Sequence, residues 1–249
     1  MLKISRIKNF NIMNLLVDKI IERFNTWKYK QAHPYRLEEI KKIVNDCVIH
    51  KKAIPLFGYW GVGNKDEIDI NEIKTLDYFS KFKATINDIY PKGFNVSLIL
   101  SDMHAKNNCI SDEKIKNYIK SLKPRLKRNN VKIILLSKLF KKYNLTLSAI
   151  EQEADIRGDN WWNTFPLKST LTKQALNVSL CKDKNRSAKT YAVMRILESK
   201  MLEKEYPDQI FFTYSSPRLN LIYPNLPTLY LYSTQKGCGE APWFNNKES

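Results

Sequence analysis

The chain has 249 residues, of which 43% are hydrophobic and 12% aromatic, so it can bury a substantial core and global disorder is excluded. It contains no apolar run of about 18 residues, so neither a membrane-spanning helix nor a membrane partner is expected. The basic, apolar N-terminus lacks an uninterrupted apolar stretch and is not interpreted as a secretory signal. The formal net charge of +17 indicates an anionic partner, with a solvated lysine surface as the alternative.

Hydrophobic periodicity predicts alternating helices and strands. In chain order the predicted elements are helix 36–49, strand 53–60, helix 70–90, strand 94–100, helix 112–122, strand 131–136, helix 187–205, and strands 208–214 and 228–233. Strands separated by helices predict an α/β, Rossmann-like fold with a mostly parallel sheet and helices on both faces. We expect one domain over residues 1–249, with a helical lead-in at 1–35 and an irregular tail at 234–249.

Polar side chains follow the first two predicted strands. The strand 94–100 runs directly into Ser101, Asp102, His104 and Asn107. The strand 53–60 leads into Tyr59, Trp60, Lys65, Asp66, Asp69 and Glu72. In open α/β sheets, ligands bind beyond the carboxyl ends of the strands. If these two strands are parallel neighbours, their polar groups meet at one rim.

Asp102, His104 and Lys65 are the candidate catalytic residues. Histidine titrates near neutral pH and suits proton transfer, and Asp102 either orients it or is itself the acid or base. The alternative is that Asp102 caps a following helix and His104 lies on the surface. Lys65 lies in a Gly-flanked loop that can meet a phosphate or carboxylate, or is one more surface lysine. Glu72 is a candidate substrate ligand or a first-turn carboxylate that favours the helix dipole.

The segment "RGDNWW" at 157–162 is a second candidate region. Tryptophan offers a flat apolar wall and arginine binds carboxylate or phosphate bidentately, so this pattern predicts a substrate-lining loop. Its candidate substrate ligands are Arg157, Asp159, Trp161 and Trp162. The alternative is that the tryptophans pack over the sheet edge. On the helix 187–205, Arg195 is a further candidate ligand, and Glu198, three residues later, can pair with it on the surface.

Neither a metal nor an organic cofactor is expected. The three histidines lie far apart and form no HxH or HxxxH pair, which disfavours zinc. The stretch "GYWGVGNK" has Asn64 before Lys65 and so breaks the spacing of a phosphate-binding loop. The four cysteines are scattered without a CxxC pair, which predicts free thiols in a reducing cytoplasm. They are Cys47, Cys109, Cys181 and Cys238.

Between Lys114 and Ile150 the chain has eleven lysines and arginines and no acidic residue. The densest part, "KSLKPRLKRNNVK", joins a predicted helix to a predicted strand. A solvated connection is one interpretation, and weak attraction of nucleic acid or phosphate is the other.

Over roughly residues 23–244 the order of features resembles the isocyanide (isonitrile) synthase family, also called the pyoverdine/dityrosine biosynthesis family. The similar segments are "RFNTWKYK", "KKAIPLFGYWGVGNKDEIDINE", "INDIYPKGFNVSLILSDMHAKNN", "AKTYAVMRILESKMLEKEYPDQIFFTYSSP" and "APWF". By this resemblance Lys65, Asp102 and Arg195 fall at positions with family counterparts. The chain differs in having Met103 and His104 where the family usually has Gly after Ser-Asp, and in having Phe211 and no terminal His in its late strand.

The resemblance implies a Rossmann-like enzyme that condenses the amine of an amino acid with the ketone of a pentulose phosphate. The amino nitrogen gains one carbon and becomes an isonitrile, without metal or redox cofactor. Such chemistry needs a base, a cationic clamp and an apolar wall. We assign the base to Asp102 or His104, the clamp to Lys65 with Arg157 or Arg195, and the wall to Trp60, Trp161 and Trp162.

Two other classes of function remain open. One is an RNA-dependent, tRNA-using enzyme or a basic RNA-binding protein. Cyclodipeptide synthases are such basic Rossmann-like enzymes, although their Gly-x-Ser nucleophile segment is not found in this chain. The other is a binding protein without catalytic activity.

Overall fold

The computed structural model describes residues 13–24, 34–213 and 217–230. Residues 13–24 are helical and are named α1. The remaining elements are α2 (Leu37–Ile49), β1 (Ile54–Trp60), α3 (Ile70–Ile89), β2 (Phe94–Leu100), α4 (Asp102–Asn107), α5 (Asp112–Arg128), β3 (Val131–Leu135), α6 (Leu136–Lys142), α7 (Leu147–Thr164), α8 (Lys168–Val178), α9 (Lys184–Glu205), β4 (Ile210–Thr213), a 3₁₀ turn (Pro217–Leu221) and β5 (Thr228–Tyr230).

The five strands form one parallel sheet in the order β3-β2-β1-β4-β5. This confirms the predicted α/β, Rossmann-like fold. The chain builds the sheet outward from β1 in one direction and then returns to pair β4 on its other side. The strand order therefore reverses beside β1, and such a switch point leaves a crevice at the carboxyl ends of the strands. Trp60 pairs with Leu100, which confirms that the two polar strand ends lie side by side.

Alternation along β1 divides its side chains between two cores. Leu56 and Trp60 pack with α1, α2, α3 and α5 on one face of the sheet. Phe57 and Tyr59 pack with α6 to α9 on the other face. Because Tyr59 and Trp60 are neighbours in sequence, they point to opposite faces, and only one of them can line a given site.

Most predicted elements agree with the structure to within a few residues, but helices α6 and α8 were not predicted, and three further regions differ. The helix predicted at 112–122 continues as α5 to Arg128, through Pro124. A short helix, α4, begins directly after β2, so His104 is helical rather than extended. The predicted loop at 157–162 is wrong, because these residues belong to α7, in which Gly158 forms a kink with φ of 69°.

Some predictions fall outside the described residues: most of the lead-in at 1–35, the end of the strand at 228–233, the irregular tail and Cys238. Cys47 is a buried free thiol. In the ranges that the structure covers, none of the helices combines the length and apolar content that crossing a bilayer requires.

Candidate active site

A cavity of about 200 Å³ lies at the carboxyl ends of β1, β2 and β4. Its walls come from the loop 61–64, from α4 and from α8 and α9. The polar side chains in its lining include Tyr59, Ser101, His104, Tyr191, Arg195 and Thr213. Helix α8 adds the apolar residues Leu171, Ala175 and Val178. The volume is below the roughly 300–1,000 Å³ of sites for drug-sized ligands, so the cavity suits one small metabolite.

One face of α9 supplies most of the polar floor. Ser187, Tyr191, Arg195 and Glu198 follow each other at intervals of four, four and three residues, which places them on the same side of a helix. The helix begins at Asp183, whose side chain caps the backbone N–H of Arg186. The packing of α9 against the sheet therefore directs this polar face toward the strand ends.

Glu198 lies beneath the cavity, fully buried, and its carboxylate accepts hydrogen bonds from four side chains. His104 Nε2 lies 2.5 Å from Oε1. Tyr59 Oη, Arg195 Nη1 and Tyr223 Oη lie 2.7, 3.0 and 3.1 Å from Oε2. These four donors replace the water that the carboxylate loses on burial.

The electrostatics of this cluster keep Glu198 ionised. Burial alone would raise its pKa, but the charge interactions with His104 and Arg195, together with the hydrogen bonds from His104 and Tyr59, outweigh burial and lower the pKa to about 2. The pKa of Tyr59 is raised well above its ordinary value, first by burial and then by the negative charge of Glu198. The Tyr59 phenol therefore keeps its proton at neutral pH and donates a hydrogen bond to the carboxylate.

His104 is placed to accept a proton from a ligand. Because Glu198 is ionised, His104 Nε2 carries a hydrogen, and in the neutral imidazole Nδ1 is then the basic nitrogen. No described residue forms a hydrogen bond with Nδ1, and His104 lines the cavity. Its ring centroid lies 4.9 Å from that of Tyr191 and 5.5 Å from that of Tyr59. The ring is thus held by packing and by one short hydrogen bond.

Arg195 is the cation of the cavity lining. Its guanidinium carbon lies 4.6, 5.0 and 5.5 Å from the ring centroids of Tyr59, Tyr223 and Tyr191. Although Arg195 is only 5% exposed, its Nε has no hydrogen-bond partner among the described residues. Because the side chain also lines the cavity, its guanidinium can meet a ligand carboxylate or phosphate there.

Asp102 is also buried, but it does not line the cavity. Its Oδ1 accepts the backbone N–H of Ser137, at 3.0 Å, in the first turn of α6. This contact favours the capping alternative, with α6 rather than α5 as the capped helix, since α5 is capped by Ser111. The catalytic role of Asp102 stays a prediction.

Lys65, Glu72 and Trp60 form a separate cluster behind the other face of the sheet. Lys65 Nζ lies 2.8 Å from Glu72 Oε2 and 2.7 Å from Asp69 Oδ2. Tyr118 Oη donates to Glu72 Oε1 and accepts from Trp60 Nε1. Asp69 and Glu72 also form the capping box of α3. None of these side chains lines the cavity, so the structure does not bring them together with His104.

The candidates Arg157 and Trp161 pack against each other on α7. The Arg157 guanidinium carbon lies 5.1 Å from the Trp161 ring centroid, and Nε lies 2.9 Å from Glu153 Oε1. Neither residue lines the cavity.

Asp159 and Trp162 have structural contacts as well. Asp159 Oδ1 lies 3.1 Å from Lys189 Nζ, and the buried Trp162 donates from Nε1 to Asn185. They too are absent from the cavity lining, which agrees with the alternative that the tryptophans pack in the fold.

Glu198, the central residue of the site, is not among the candidate site residues that the sequence indicates. The spacing of Arg195 and Glu198 predicts a surface pair, but both residues are buried. The four polar residues on one face of α9 were a usable signal, because the face of a helix that packs on a sheet is usually apolar. No comparable sequence pattern indicated that α8 supplies the apolar wall of the cavity.

A disulfide between Cys109 and Cys181, with Cα atoms 5.2 Å apart, fixes one wall of the cavity. The prediction of free thiols is wrong for this pair, because the fold brings together two residues 72 positions apart. The adjacent residues Asn108 and Leu180 both line the cavity, and Leu180 N donates to Asn108 O at 2.9 Å. Within the described ranges, no three His, Cys, Asp or Glu side chains are grouped as metal ligands would be.

No protein-family model and no curated protein matches the sequence. Among solved structures, the chain is similar to the PvcA protein from Pseudomonas aeruginosa, with a TM-score of 0.60 and 13% identity, over 92% of this chain and 88% of that one. It is also similar to tyrosyl-tRNA synthetase from Archaeoglobus fulgidus, complexed with L-tyrosine, with a TM-score of 0.53 and 14% identity, over 86% of this chain and 64% of that one. At these identities the likeness defines the Rossmann-like fold alone.

Proposed function

We propose that this protein is a small-molecule biosynthetic enzyme, similar to the isonitrile synthases, that binds one amino acid in the cavity and modifies its amino group. The observation that carries the proposal is the pairing of His104 with Glu198 beside Arg195. It places a base and a cation in the lining of a cavity of one metabolite's size. The substrate carboxylate binds Arg195, and the amine lies toward His104.

Three further findings support this proposal. The segments quoted above resemble the isonitrile synthase family over most of the chain. The fold shared with PvcA extends over nearly the whole of both chains. The synthetase from Archaeoglobus fulgidus has a related fold and holds L-tyrosine, so this architecture accommodates an amino acid.

The carbon donor is proposed from the resemblance alone. A sugar phosphate was expected to meet a clamp of Lys65 with Arg157 or Arg195. Lys65 and Arg157 are each paired with carboxylates outside the cavity, which leaves Arg195 as the member of that clamp in the lining. The cavity therefore favours the amino acid as its first ligand.

In the proposed reaction the amine attacks the ketone of the donor, and loss of water gives an imine. His104 Nδ1 then removes a proton from the carbon next to the imine, and the electron pair of that C–H bond moves to give an enamine. The ionised Glu198 stabilises the resulting imidazolium through Nε2. Cleavage of the two C–C bonds of the former ketone carbon leaves that carbon on nitrogen as the isonitrile. One donor fragment departs as an aldehyde, and its hydroxyl proton passes to the other fragment. The tyrosines around Arg195 exclude water and hold the guanidinium toward the carboxylate.

Mass spectrometry of cells that express the chain tests the reaction. The expected product is an amino acid that has gained one carbon and lost two hydrogens, with its nitrogen retained from a ¹⁵N-labelled amino acid. His104→Gln should reduce this product by about 10²-fold or more. His50→Gln, which changes an exposed histidine, is the matched control and should leave the yield unchanged. Equal yields from both variants would refute the role of His104.

Calorimetric titration with single amino acids tests the binding step. Arg195→Met should weaken binding by about 10- to 150-fold, the range for a charged hydrogen bond. Arg186→Met removes an exposed arginine from the same helix and should leave the affinity unchanged. Binding that survives Arg195→Met would place the carboxylate elsewhere.

A tRNA-using enzyme is the second candidate, favoured by the synthetase-like fold and the basic composition. Ribonuclease treatment of a cell extract distinguishes the two candidate functions. An enzyme that uses a free amino acid keeps its activity, whereas one that takes the amino acid from tRNA loses it.

A further inference from the structure

The eleven basic residues between Lys114 and Ile150 lie on the edge strand of the sheet and on the helices that precede and follow it. They belong to α5, β3 and α6, and β3 is the edge strand of the sheet. The exposed ones comprise six on α5, Lys132 on β3 and three on α6, and we call this group the basic edge. Lys142 pairs with Glu205, and no other member of the group forms an ion pair with a described acidic residue.

Four members form a continuous stripe along α5. Lys116, Lys120, Lys123 and Lys127 are spaced four, three and four residues apart, so they lie on one side of the helix over about 16 Å. Unpaired like charges at these spacings destabilise a helix slightly. A surface that contacts only water does not require acidic residues to be absent from residues 114–150, whereas a surface that binds an anionic partner does.

The chemistry of the stripe favours a nucleic acid over a membrane. A helix that lies on a bilayer presents an apolar face to it. The apolar residues of α5, including Ile115, Ile119 and Leu122, are buried in the protein core. The large hydrophobic side chains that are exposed in the described residues lie elsewhere. The basic edge thus offers charge without apolar anchors, which suits a phosphate backbone.

We propose that the basic edge is a docking surface for the sugar-phosphate backbone of a nucleic acid, bound without sequence preference and centred on the stripe of α5. The stripe neutralises about four phosphates and releases their counterions. For a single strand, four contacts predict a slope of log K against log salt of about −3, or a loss of roughly 50-fold in affinity between 50 and 200 mM salt.

Fluorescence anisotropy with a labelled, mixed-sequence RNA of about 20 nucleotides tests the proposal. Changing all four stripe lysines to Gln keeps helix propensity and should weaken binding at least tenfold and flatten the salt slope by about 3. The matched control changes four exposed helical lysines on other elements to Gln. They are Lys42, Lys74, Lys173 and Lys200. This control variant lowers the net charge by the same amount and should change the affinity for RNA less than twofold.

Several results would overturn the proposal. Equal losses in the two variants would show that net charge acts without a defined surface. Absence of RNA binding by the unmodified protein at 50 mM salt would refute it directly. Stronger binding to phosphatidylserine vesicles than to RNA, lost on changing the stripe, would assign the surface to membranes. A DNA strand of the same sequence should bind as well as RNA, and a strong preference for either would contradict backbone binding.

Discussion

Two fully buried carboxylates, Glu72 and Glu198, lie behind opposite faces of the sheet near the carboxyl end of β1. Each accepts a hydrogen bond from a tyrosine hydroxyl and pairs with a cation. That cation is Lys65 for Glu72 and Arg195 for Glu198. From their contacts alone the two clusters look alike.

The two clusters differ in whether they leave hydrogen-bonding groups without a partner. Glu72 and its partners satisfy one another and the first turn of α3, and they do not line the cavity. Around Glu198, by contrast, His104 Nδ1 and Arg195 Nε have no partner in the described part of the chain, and both residues line the cavity. A buried charge therefore does not by itself mark a functional site. We propose that the unmet polar groups beside the cavity mark the Glu198 cluster as the functional one of the two.

Replacing each carboxylate by its amide should separate the two clusters most strongly. Glu198→Gln removes the anion that orients His104 and stabilises its protonated form, so kcat should fall by about 10²- to 10⁴-fold. Glu72→Gln should leave kcat within about threefold and lower the free energy of unfolding by about 3 kcal/mol, since Lys65 loses a buried partner. Product formation and urea denaturation measure the two effects.

A purely structural Glu198 would behave differently. Its amide variant would lose activity only in proportion to unfolded protein, and the pH dependence of kcat would stay that of the unmodified chain. An equal loss of kcat in both variants would remove the distinction between the clusters.

The sequence predicted the strands and the helices α2, α3, α5 and α9 because the apolar periodicity in them is strong. It also predicted that the two polar strand ends meet, since parallel neighbours end at one rim. It could not tell which side chains of that rim share a face. Alternation requires Tyr59 and Trp60 to diverge, but only the packing of α9 against one face decides that Tyr59 faces the cavity.

Contacts between residues far apart in sequence account for the other differences. An Arg followed three residues later by a Glu is the same sequence pattern on a surface helix and on a buried one. The pattern therefore did not indicate that Arg195 and Glu198 are buried. The partnership of Cys109 with Cys181 depends on the placement of α4 beside the start of α9. In the 157–162 segment, the arginine and tryptophans suggested a substrate-lining loop, but the helix continues on both sides of a local kink at Gly158.

The disulfide restrains the Glu198 side of the molecule. In a chain-entropy treatment, a bond that closes a loop of 72 residues stabilises the fold by about 4 kcal/mol. The double variant Cys109→Ser/Cys181→Ser should lose about that free energy of unfolding, measured with urea in the absence of reductant. The unmodified protein with reductant should match the variant. Identical midpoints with and without reductant would show that the bond contributes nothing.

Acid should destabilise the Glu198 cluster in a defined pH window. The pKa of Glu198 is about 2 in the fold against an ordinary 4.5, so its ionisation stabilises the folded state above pH 4.5. That contribution, about 3 kcal/mol, is lost as the pH falls from 4.5 toward 2. The difference in unfolding free energy between the unmodified protein and Glu198→Gln should therefore shrink over this range. A constant difference would contradict the ionised state of Glu198.

The smallest effect is expected from Asp102→Asn, although Asp102 lies only two residues from His104. The amide oxygen can still accept the N–H of Ser137, so the free energy of unfolding should change by less than about 1 kcal/mol. Turnover, measured as product yield, should stay within about threefold, because the side chain does not line the cavity. Asp102→Ala, which leaves that N–H without its acceptor, should cost about 1–2 kcal/mol of stability at unchanged turnover per folded molecule. If Asp102→Asn instead lowers turnover by about 10²-fold with stability intact, Asp102 is the base predicted from the sequence, and the contrast between the two clusters fails.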